Sequence, residues 1–255
     1  MKNIAIKVLP QRLYLEYRYW DYKITNKRGH ESKQKLRRNI DDREYSYRPF
    51  DENNAIFVHV PKCAGVSIAK TLFGCLAGGH TTLDEYITVF EPCNLTNYFK
   101  FTIVRNPWDR LVSAYFFLKK GGFGKKDRAW FERELSAYNS FDDFVKNWLS
   151  KDNIQKWHHF RPQYQYILNK HGKIKLDFVG FLENIDQDFD IIKNQIGLEV
   201  NLNESNKSTH NKYIDYYNEE TKDIVAKVYA EDISLLGYNF DNSSLQKQIL
   251  ARNLK

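Results

Sequence analysis

The sequence has few cysteines and no cysteine pair at metal-binding spacing. Its 255 residues include Cys63, Cys75 and Cys93, and no two of them form a CxxC motif. Three cysteines cannot all pair in disulfides, which favours a reducing compartment, and the missing CxxC argues against a zinc ribbon. No other metal-ligand spacing is visible, so we expect that the protein needs no metal ion.

The sequence also lacks an uninterrupted apolar run of membrane-spanning length and a recognisable secretory signal. Its first segment, MKNIAIKVLPQRLYLEY, is interrupted by Lys7, Pro10 and Arg12. The segment is too short and too charged to span a bilayer. We therefore expect a cytoplasmic protein with access to cytosolic nucleotides, whose contact with a membrane is at most peripheral and at the inner face.

Positive charge and apolar residues are plentiful. The formal net charge is +7 and 42% of the residues are hydrophobic, which suits one fairly large folded domain with extensions. A basic chain can bind nucleic acid, anionic lipid or small polyanions such as nucleotides.

Residues 1–50 are rich in Tyr, Arg and Lys and contain the sequence YRYWDY, but carry no recognisable motif. Two interpretations stay open: an extension that packs on the core through its aromatic rings, or a basic aromatic surface for membrane or nucleic acid. No clear amphipathic helical pattern is visible, which favours packing.

Residues 55–67, AIFVHVPKCAGVS, contain the pattern of a strand, a small-residue turn and a helix start. The apolar run at 55–60 predicts a buried parallel strand. A helix is expected from Val66 to about Ala77, ended by the glycine pair at 78–79.

This strand–turn–helix unit predicts a phosphate or sulfate cradle. The turn points backbone N–H groups and a helix N-terminus at an anion. Lys62 adds a positive charge and Ser67 adds a hydroxyl donor.

A second strand–turn–helix unit is expected some forty residues later. Residues 101–104 predict a buried strand, Asn106 is a good N-cap and Pro107 a good first helical residue. Arg105 follows the strand directly and Ser113 lies about two turns into the helix, which runs to about residue 119. The apolar positions of that helix predict a core-facing stripe of Trp108, Leu111, Val112 and Tyr115.

The rest of the chain alternates helices and strands. Thr82 and Glu85 fit a capping box for a helix to about Val89, which places His80 in the preceding loop. The other predicted elements are a flexible loop at 121–127, helices at 140–149, 184–196 and 219–236, a third buried strand at 176–182, and a polar tail that frays beyond 239. The alternation predicts a three-layer α/β domain around a mostly parallel sheet. Ligands bind outside the carboxyl ends of such strands, where the turns at 61–66 and 105–107 lie.

Taken together, the motifs PKCAGVS and FTIVRNPWDRLVSAY resemble the sulfotransferase superfamily, in particular the second family of carbohydrate sulfotransferases with its heparan 2-O-, chondroitin- and HNK-1-type enzymes and bacterial members. The resemblance continues through HFRPQYQY, LDFVGFLENIDQDF, NKSTHNKY and YAEDISLLGYNF and covers roughly residues 54–240. It implies a P-loop-like sulfotransferase domain at 51–242, preceded by a basic aromatic extension at 1–50 and followed by a polar tail at 243–255.

The resemblance also implies the donor 3′-phosphoadenosine 5′-phosphosulfate and the residues that hold it. The 5′-phosphosulfate loop would be Lys62, Cys63, Ala64, Gly65, Val66 and Ser67. The 3′-phosphate site would contain Arg105 and Ser113. The late segment that folds over the nucleotide would contain Lys207, Ser208, His210 and Lys212. Threonines are common in the family where this chain has Cys63 and Val66, so two hydroxyl contacts are lost while the backbone donors remain.

The implied reaction is in-line transfer of a sulfuryl group to a hydroxyl of a saccharide or glycolipid, without nucleic acid as a partner. Such transfer needs positioning and charge stabilisation, and a lysine near the bridging oxygen stabilises the leaving group, a role we expect for Lys62. We expect His80 to act as the base, because a neutral histidine accepts a proton near pH 7. His158, His159 and Arg161 are candidates for acceptor binding.

Three alternatives remain open. A P-loop kinase or hydrolase is disfavoured because the pattern GxxxxGK[ST] is missing: Lys62 precedes Gly65 instead of following the second glycine. A nucleic-acid or membrane-surface module would use residues 1–50. Arg105 could also serve only as an ion-pair partner of Asp109.

Overall fold

The computed structural model describes residues 9–39, 45–202 and 212–252. The α-helices within these ranges are α1 (Gln11–Thr25), α2 (Lys27–Arg38), α3 (Arg48–Asn53), α4 (Gly65–Phe73), α5 (Leu83–Tyr86), α6 (Pro92–Asn97), α7 (Pro107–Lys119), α8 (Lys125–Glu134), α9 (Phe141–Asn147), α10 (Tyr164–Ile167), α11 (Ile185–Ile196), α12 (Glu219–Val228), α13 (Ala230–Leu236) and α14 (Leu245–Arg252). Short 3₁₀ turns span Asn153–Gln155, Leu182–Asn184 and Tyr213–Tyr216. No helix in the described ranges combines the length and apolar character needed to cross a bilayer.

The fold is α/β with a small parallel sheet. Its strands are β1 (Ala55–Phe57), β2 (Phe99–Val104) and β3 (Phe178–Phe181), hydrogen-bonded in the order β1-β2-β3. Both pairings are parallel. All residues of β1 and almost all of β2 are buried, as expected for strands covered on both faces.

The chain divides into two compact units. Within the described ranges, the first contains residues 9–39, 45–60, 64–104 and 165–202, and so holds the sheet. The second contains 61–63, 105–164 and 212–252. The chain therefore crosses from the first unit to the second and back within the turn after β1.

Helices α1 and α2 pack on the first unit through aromatic and ionic contacts. Tyr14, Leu15 and Tyr19 on α1 are buried. The Arg37 guanidinium on α2 forms ion pairs with Asp51 and Glu91, at 2.5 and 2.6 Å. Tyr14 and Tyr19 of this segment therefore pack on the core, as the first interpretation of residues 1–50 expected.

An aromatic core holds the second unit together. Trp108 and Tyr115 from α7 are buried with Phe144 from α9, Trp148 and Phe160. The Tyr115 and Phe144 ring centroids lie 4.8 Å apart. Burial of large rings dominates the stability of such a core.

Several helix boundaries follow the predicted local signals. Thr82 and Glu85 form the expected reciprocal capping box, and the Asn106 side chain accepts the N–H of Trp108 with Pro107 in the first turn. Ser140 caps α9, and α11 ends at Gly197 in a left-handed conformation.

Several predicted boundaries were wrong. Helix α4 ends at Gly74, not at 78–79, because Gly74 adopts φ 73° and terminates the helix first. The predicted loop at 121–127 gives way to α8 at Lys125. The single helix predicted at 219–236 is two helices that meet at Tyr229. The tail expected to fray contains α14, where the buried Gln248 donates to the carbonyl of Leu236 at 2.6 Å.

Candidate functional site

The turn at 61–66 is built from two left-handed residues. Lys62 has φ 69° and Ala64 has φ 56°, a conformation that costs energy for residues other than glycine. Ala64 precedes α4 and offers no side-chain cap. The first N–H groups of this helix therefore suit an anion.

Gly65 allows the start of α4 to lie against His59. An added Cβ at Gly65 would overlap the His59 ring. His59 is 6% exposed. Its ring therefore packs tightly against the first residue of α4 within the first unit.

Lys62 is an unusually situated lysine. Its Nζ lies 3.6 Å from the centroid of the Phe117 ring, a cation–π contact. Burial, reinforced by the positive charge of Arg105, lowers the pKa of Lys62 to about 7. Arg110 lowers this pKa further, while Asp127 and Cys63 oppose the shift.

Arg105 is held in place from two sides. Its Nε and Nη2 donate to the Asp109 carboxylate at 2.8 and 2.7 Å, and its Nη1 donates to the Lys62 carbonyl at 3.2 Å. The anticipated ion pair with Asp109 therefore exists. A guanidinium has five N–H groups, and these bonds use three of them, so the pair does not exclude a phosphate ligand.

Gln163 was missed as a site residue, although it lies in the HFRPQYQY motif. Its side chain is fully buried. Its Oε1 accepts the Arg105 N–H at 3.0 Å and its Nε2 donates to the Arg105 carbonyl at 2.8 Å. The Cys63 thiol also donates to Oε1, at 3.5 Å. One amide thus fixes both the Lys62 turn and the residue after β2.

Asp232 in turn holds Gln163. Its carboxylate accepts the backbone N–H groups of Gln163 and Tyr164, each at 2.8 Å. Burial raises the pKa of Asp232, against the nearby charge of Arg110 and these two N–H bonds.

Arg110 is a second buried cation in the same unit. It is 2% exposed, and it donates to the carbonyls of Pro61, His159 and Arg161 at 2.9, 3.1 and 2.8 Å. A neutral carbonyl orients the guanidinium without cancelling its charge. Arg110 therefore ties the turn at 61–63 to the HFRPQ segment and adds positive potential there.

His158 and His159 lie in the second unit with Lys62. Their ring centroids are 4.0 Å apart, and His159 is 4.9 Å from Phe117. Burial lowers the pKa of His158 against the opposing charge of Asp127, and the charges of Arg161 and Arg110 lower it further. A neutral imidazole near pH 7 is the state that a base requires.

His80 lies in the first unit. Its Nδ1 is 3.2 Å from the backbone carbonyl of His59. A carbonyl can only accept, so a hydrogen bond here requires the hydrogen on Nδ1, and a neutral ring would then carry its lone pair on Nε2. This tautomer suits the role of base expected for His80.

The other expected site residues have varied positions. Ser67 and Ser113 are buried, at 7% and 8% exposure, within α4 and α7. Arg161 and Lys212 are exposed. Lys207, Ser208 and His210 lie outside the described residues. The structure therefore brings Lys62, Cys63, Arg105, His158 and His159 into one unit.

Residues 46–239, most of the chain, match the family model described as sulfotransferase family. The chain belongs to the sulfotransferase family. The match includes the turns after β1 and β2 and the HFRPQ segment, so the family assignment and the residues gathered around Lys62 concern the same part of the sequence.

Named relatives fit this membership. The chain is 25% identical to carbohydrate sulfotransferase 14 of Danio rerio, over 77% of this chain and 63% of that protein. It is 36% identical to sulfotransferase 2A2 of Rattus norvegicus, over 31% of this chain and 30% of that protein. An uncharacterized protein of Archaeoglobus fulgidus is 32% identical over 41% of this chain and 72% of its own length. The chain thus spans less than two thirds of either named sulfotransferase, and no solved structure matches it significantly.

Proposed function

We propose that this protein transfers a sulfuryl group from 3′-phosphoadenosine 5′-phosphosulfate to a hydroxyl of a saccharide or glycolipid, by in-line displacement with a histidine base. Membership of the sulfotransferase family supports the reaction class. The similarity to a carbohydrate sulfotransferase supports a saccharide acceptor. The three-layer, P-loop-like arrangement of the sheet and its helices is part of the same proposal.

The observation that carries the proposal is that two arginines converge on the turn that holds Lys62: Arg105 donates to the Lys62 carbonyl and Arg110 to the Pro61 carbonyl, at 3.2 and 2.9 Å. The charges of Arg105 and Arg110 both lower the pKa of Lys62, while Asp127 and Cys63 raise it. Placing a multiply charged anion beside these groups would relieve their mutual repulsion. The donor, with a phosphosulfate at one end and a phosphate at the other, is an anion of this kind.

Each residue has a defined role in the proposal. Lys62 stabilises the charge that develops on the bridging oxygen as the S–O bond breaks. The N-terminus of α4 and the N–H groups of the turn hold the phosphosulfate. Arg105, assisted by Ser113, holds the 3′-phosphate, and its remaining N–H groups supply the contact.

The proton of the acceptor hydroxyl goes to a histidine as the new O–S bond forms. The contact of His80 Nδ1 with the His59 carbonyl, at 3.2 Å, supports this role, because donation from Nδ1 would leave the lone pair of a neutral ring on Nε2. His158 is kept neutral by its lowered pKa. We assign the role to His80, with His158, His159 and Arg161 facing the acceptor.

Calorimetry with adenosine 3′,5′-bisphosphate, the product nucleotide, tests the proposal directly. We expect binding in the micromolar to millimolar range. Lys62→Ala and Arg105→Ala should each lower the use of the donor by about tenfold or more, because each removes a charge-assisted contact.

The matched control is Lys146→Ala. Lys146 is also a cation of the second unit, but its partners are Asp142 and Glu220, at 3.1 and 2.9 Å. It should keep wild-type donor use. If the folded wild-type protein does not bind the bisphosphate, the proposed function is wrong, and wild-type turnover in both site variants would exclude the assigned donor site.

A further inference from the structure

Helix α1 is apolar on two opposite faces. Tyr14, Leu15 and Tyr19 are buried. On the other side of the helix, four large apolar residues are exposed: Leu13 at 55%, Tyr17 at 39%, Trp20 at 47% and Ile24 at 77%. We call these four residues the outer stripe.

The outer stripe is a continuous helical row. Its members are spaced by four, three and four residues, which places them one above another on a helix of about 3.6 residues per turn. Apolar residues on opposite faces of a helix give no single apolar face. This explains why the sequence of α1 shows no clear amphipathic pattern. Packing of one face therefore does not exclude a surface role for the other.

The inner face fixes α1 rigidly in the first unit. Tyr19 Oη donates to Glu91 at 3.1 Å, and Arg18 pairs with Asp84 at the same distance. The Tyr14 hydroxyl accepts from Asn169 Nδ2, also at 3.1 Å. The outer stripe is thus presented on a fixed helix and does not need the helix to detach.

The charge of the chain is concentrated on the same segment. Residues 9–39 contain nine Lys or Arg and three Asp or Glu, a net charge of +6 in a chain whose total is +7. The exposed cations of this segment are Arg12, Lys23, Lys27, Arg28, Lys35 and Arg38. Lys23 Nζ lies 4.5 Å from the centroid of the Trp20 ring, at the edge of the stripe.

We infer that the outer stripe of α1, with the exposed cations of α1 and α2, docks on an anionic lipid surface. Exposed Trp and Tyr beside aliphatic residues and flanking Lys and Arg are the composition of an interfacial helix that lies in the plane of a membrane. Positive charge attracts the helix to anionic lipids and the apolar side chains enter the headgroup region. A second copy of the chain would bring the same net positive segment against itself, which the charge disfavours.

Vesicle co-sedimentation of the full chain tests this inference. We expect binding to vesicles of phosphatidylcholine with phosphatidylglycerol, weaker binding to phosphatidylcholine alone, and loss of binding in high salt. Trp20→Ser combined with Ile24→Ser should weaken the binding by about tenfold or more, because two large apolar side chains no longer leave water. Lys27→Glu combined with Arg28→Glu should weaken it through charge alone.

The matched control is Ile191→Ser combined with Leu250→Ser, which removes two exposed apolar residues from other helices, at 44% and 64% exposure. It should bind like the wild type. Quenching by brominated lipid should affect the wild type and be reduced in Trp20→Phe. Wild-type protein that stays off the anionic vesicles, or a stripe variant that binds as well as wild type, would overturn the inference. The inference would also be overturned if the wild type forms a dimer in sedimentation equilibrium, the stripe variant is a monomer, and the wild type does not bind vesicles.

Discussion

Gln163 holds the backbone of Arg105 as a neighbouring strand would. The side-chain amide accepts from the Arg105 N–H at 3.0 Å and donates to the Arg105 carbonyl at 2.8 Å. Two parallel bonds from a fully buried side chain leave the Arg105 backbone little freedom. Since Arg105 is the proposed 3′-phosphate ligand, Gln163 is a positioning residue for that contact.

Gln163→Ala should weaken the binding of adenosine 3′,5′-bisphosphate by about tenfold, because a buried amide pair is lost. It should weaken the binding of adenosine 5′-monophosphate, which has no 3′-phosphate, much less, because the Lys62 turn loses only the weak thiol bond from Cys63. Calorimetry with both nucleotides measures this difference, which a general loss of structure would not produce.

Gln248→Ala is the control for the loss of a buried glutamine in the same unit, since Gln248 donates to Leu236 and not to Arg105. It should keep both affinities. Equal weakening of both nucleotides in Gln163→Ala would show a structural role only.

The binding of adenosine 3′,5′-bisphosphate should take up a proton on Lys62. The pKa of Lys62 is about 7 without a ligand, and an anion beside it raises that pKa. Above pH 7 the complex then holds more protons than the free protein. The affinity for the bisphosphate should therefore fall as the pH rises from about 7.5 to 9. The phosphates themselves no longer titrate in this range. Calorimetry in buffers of different ionisation enthalpy measures the uptake.

Lys62→Arg separates this effect from other titrations. A guanidinium stays protonated throughout this range, so the variant should bind without proton uptake and with a flatter pH dependence. Equal proton uptake in the wild type and in Lys62→Arg would assign the titration to another group.

His80→Ala should lower turnover by about a hundredfold or more while the affinity for adenosine 3′,5′-bisphosphate is kept, because a general base acts on the acceptor proton and not on the nucleotide. Sulfate transfer to a panel of saccharides measures turnover. His171→Ala, which alters a histidine packed against the Tyr14 ring, serves as the control and should retain activity.

An unchanged rate in His80→Ala would contradict the assignment. The same loss of rate in His158→Ala would then assign the base to His158, whose lowered pKa already keeps it neutral.

Gly65→Ala should destabilise the protein by about 1–3 kcal/mol, because the added methyl overlaps the His59 ring and forces packed groups apart. Urea unfolding measures the loss. His59→Ala should relieve it in the double variant, since the clash needs both side chains. A Gly65→Ala protein as stable as wild type would mean that the His59 ring can move aside.

The local features of the fold could be predicted from the sequence because each depends on a few adjacent residues. The capping box of Thr82 and Glu85, the Asn106 cap and the stop at Gly197 are of this kind. The strands were found from their apolar runs, although their ends shifted by a few residues. The predicted helix after β1 is longer than the observed one, because either Gly74 or the glycine pair at 78–79 could end it and only the left-handed conformation of Gly74 decides.

The surroundings of each site residue were decided by tertiary structure. The sequence by itself determined the family resemblance, the order of strand, turn and helix in the two motifs, and the net positive charge. It could not place Phe117 under Lys62, since 55 residues separate them, or aim the Gln163 amide at the Arg105 backbone. Nor could it divide the apolar residues of α1 between a buried and an exposed face. The hydrogen-bond partners and the burial of a residue depend on which distant segments fold against it. A short stretch of sequence does not contain that information.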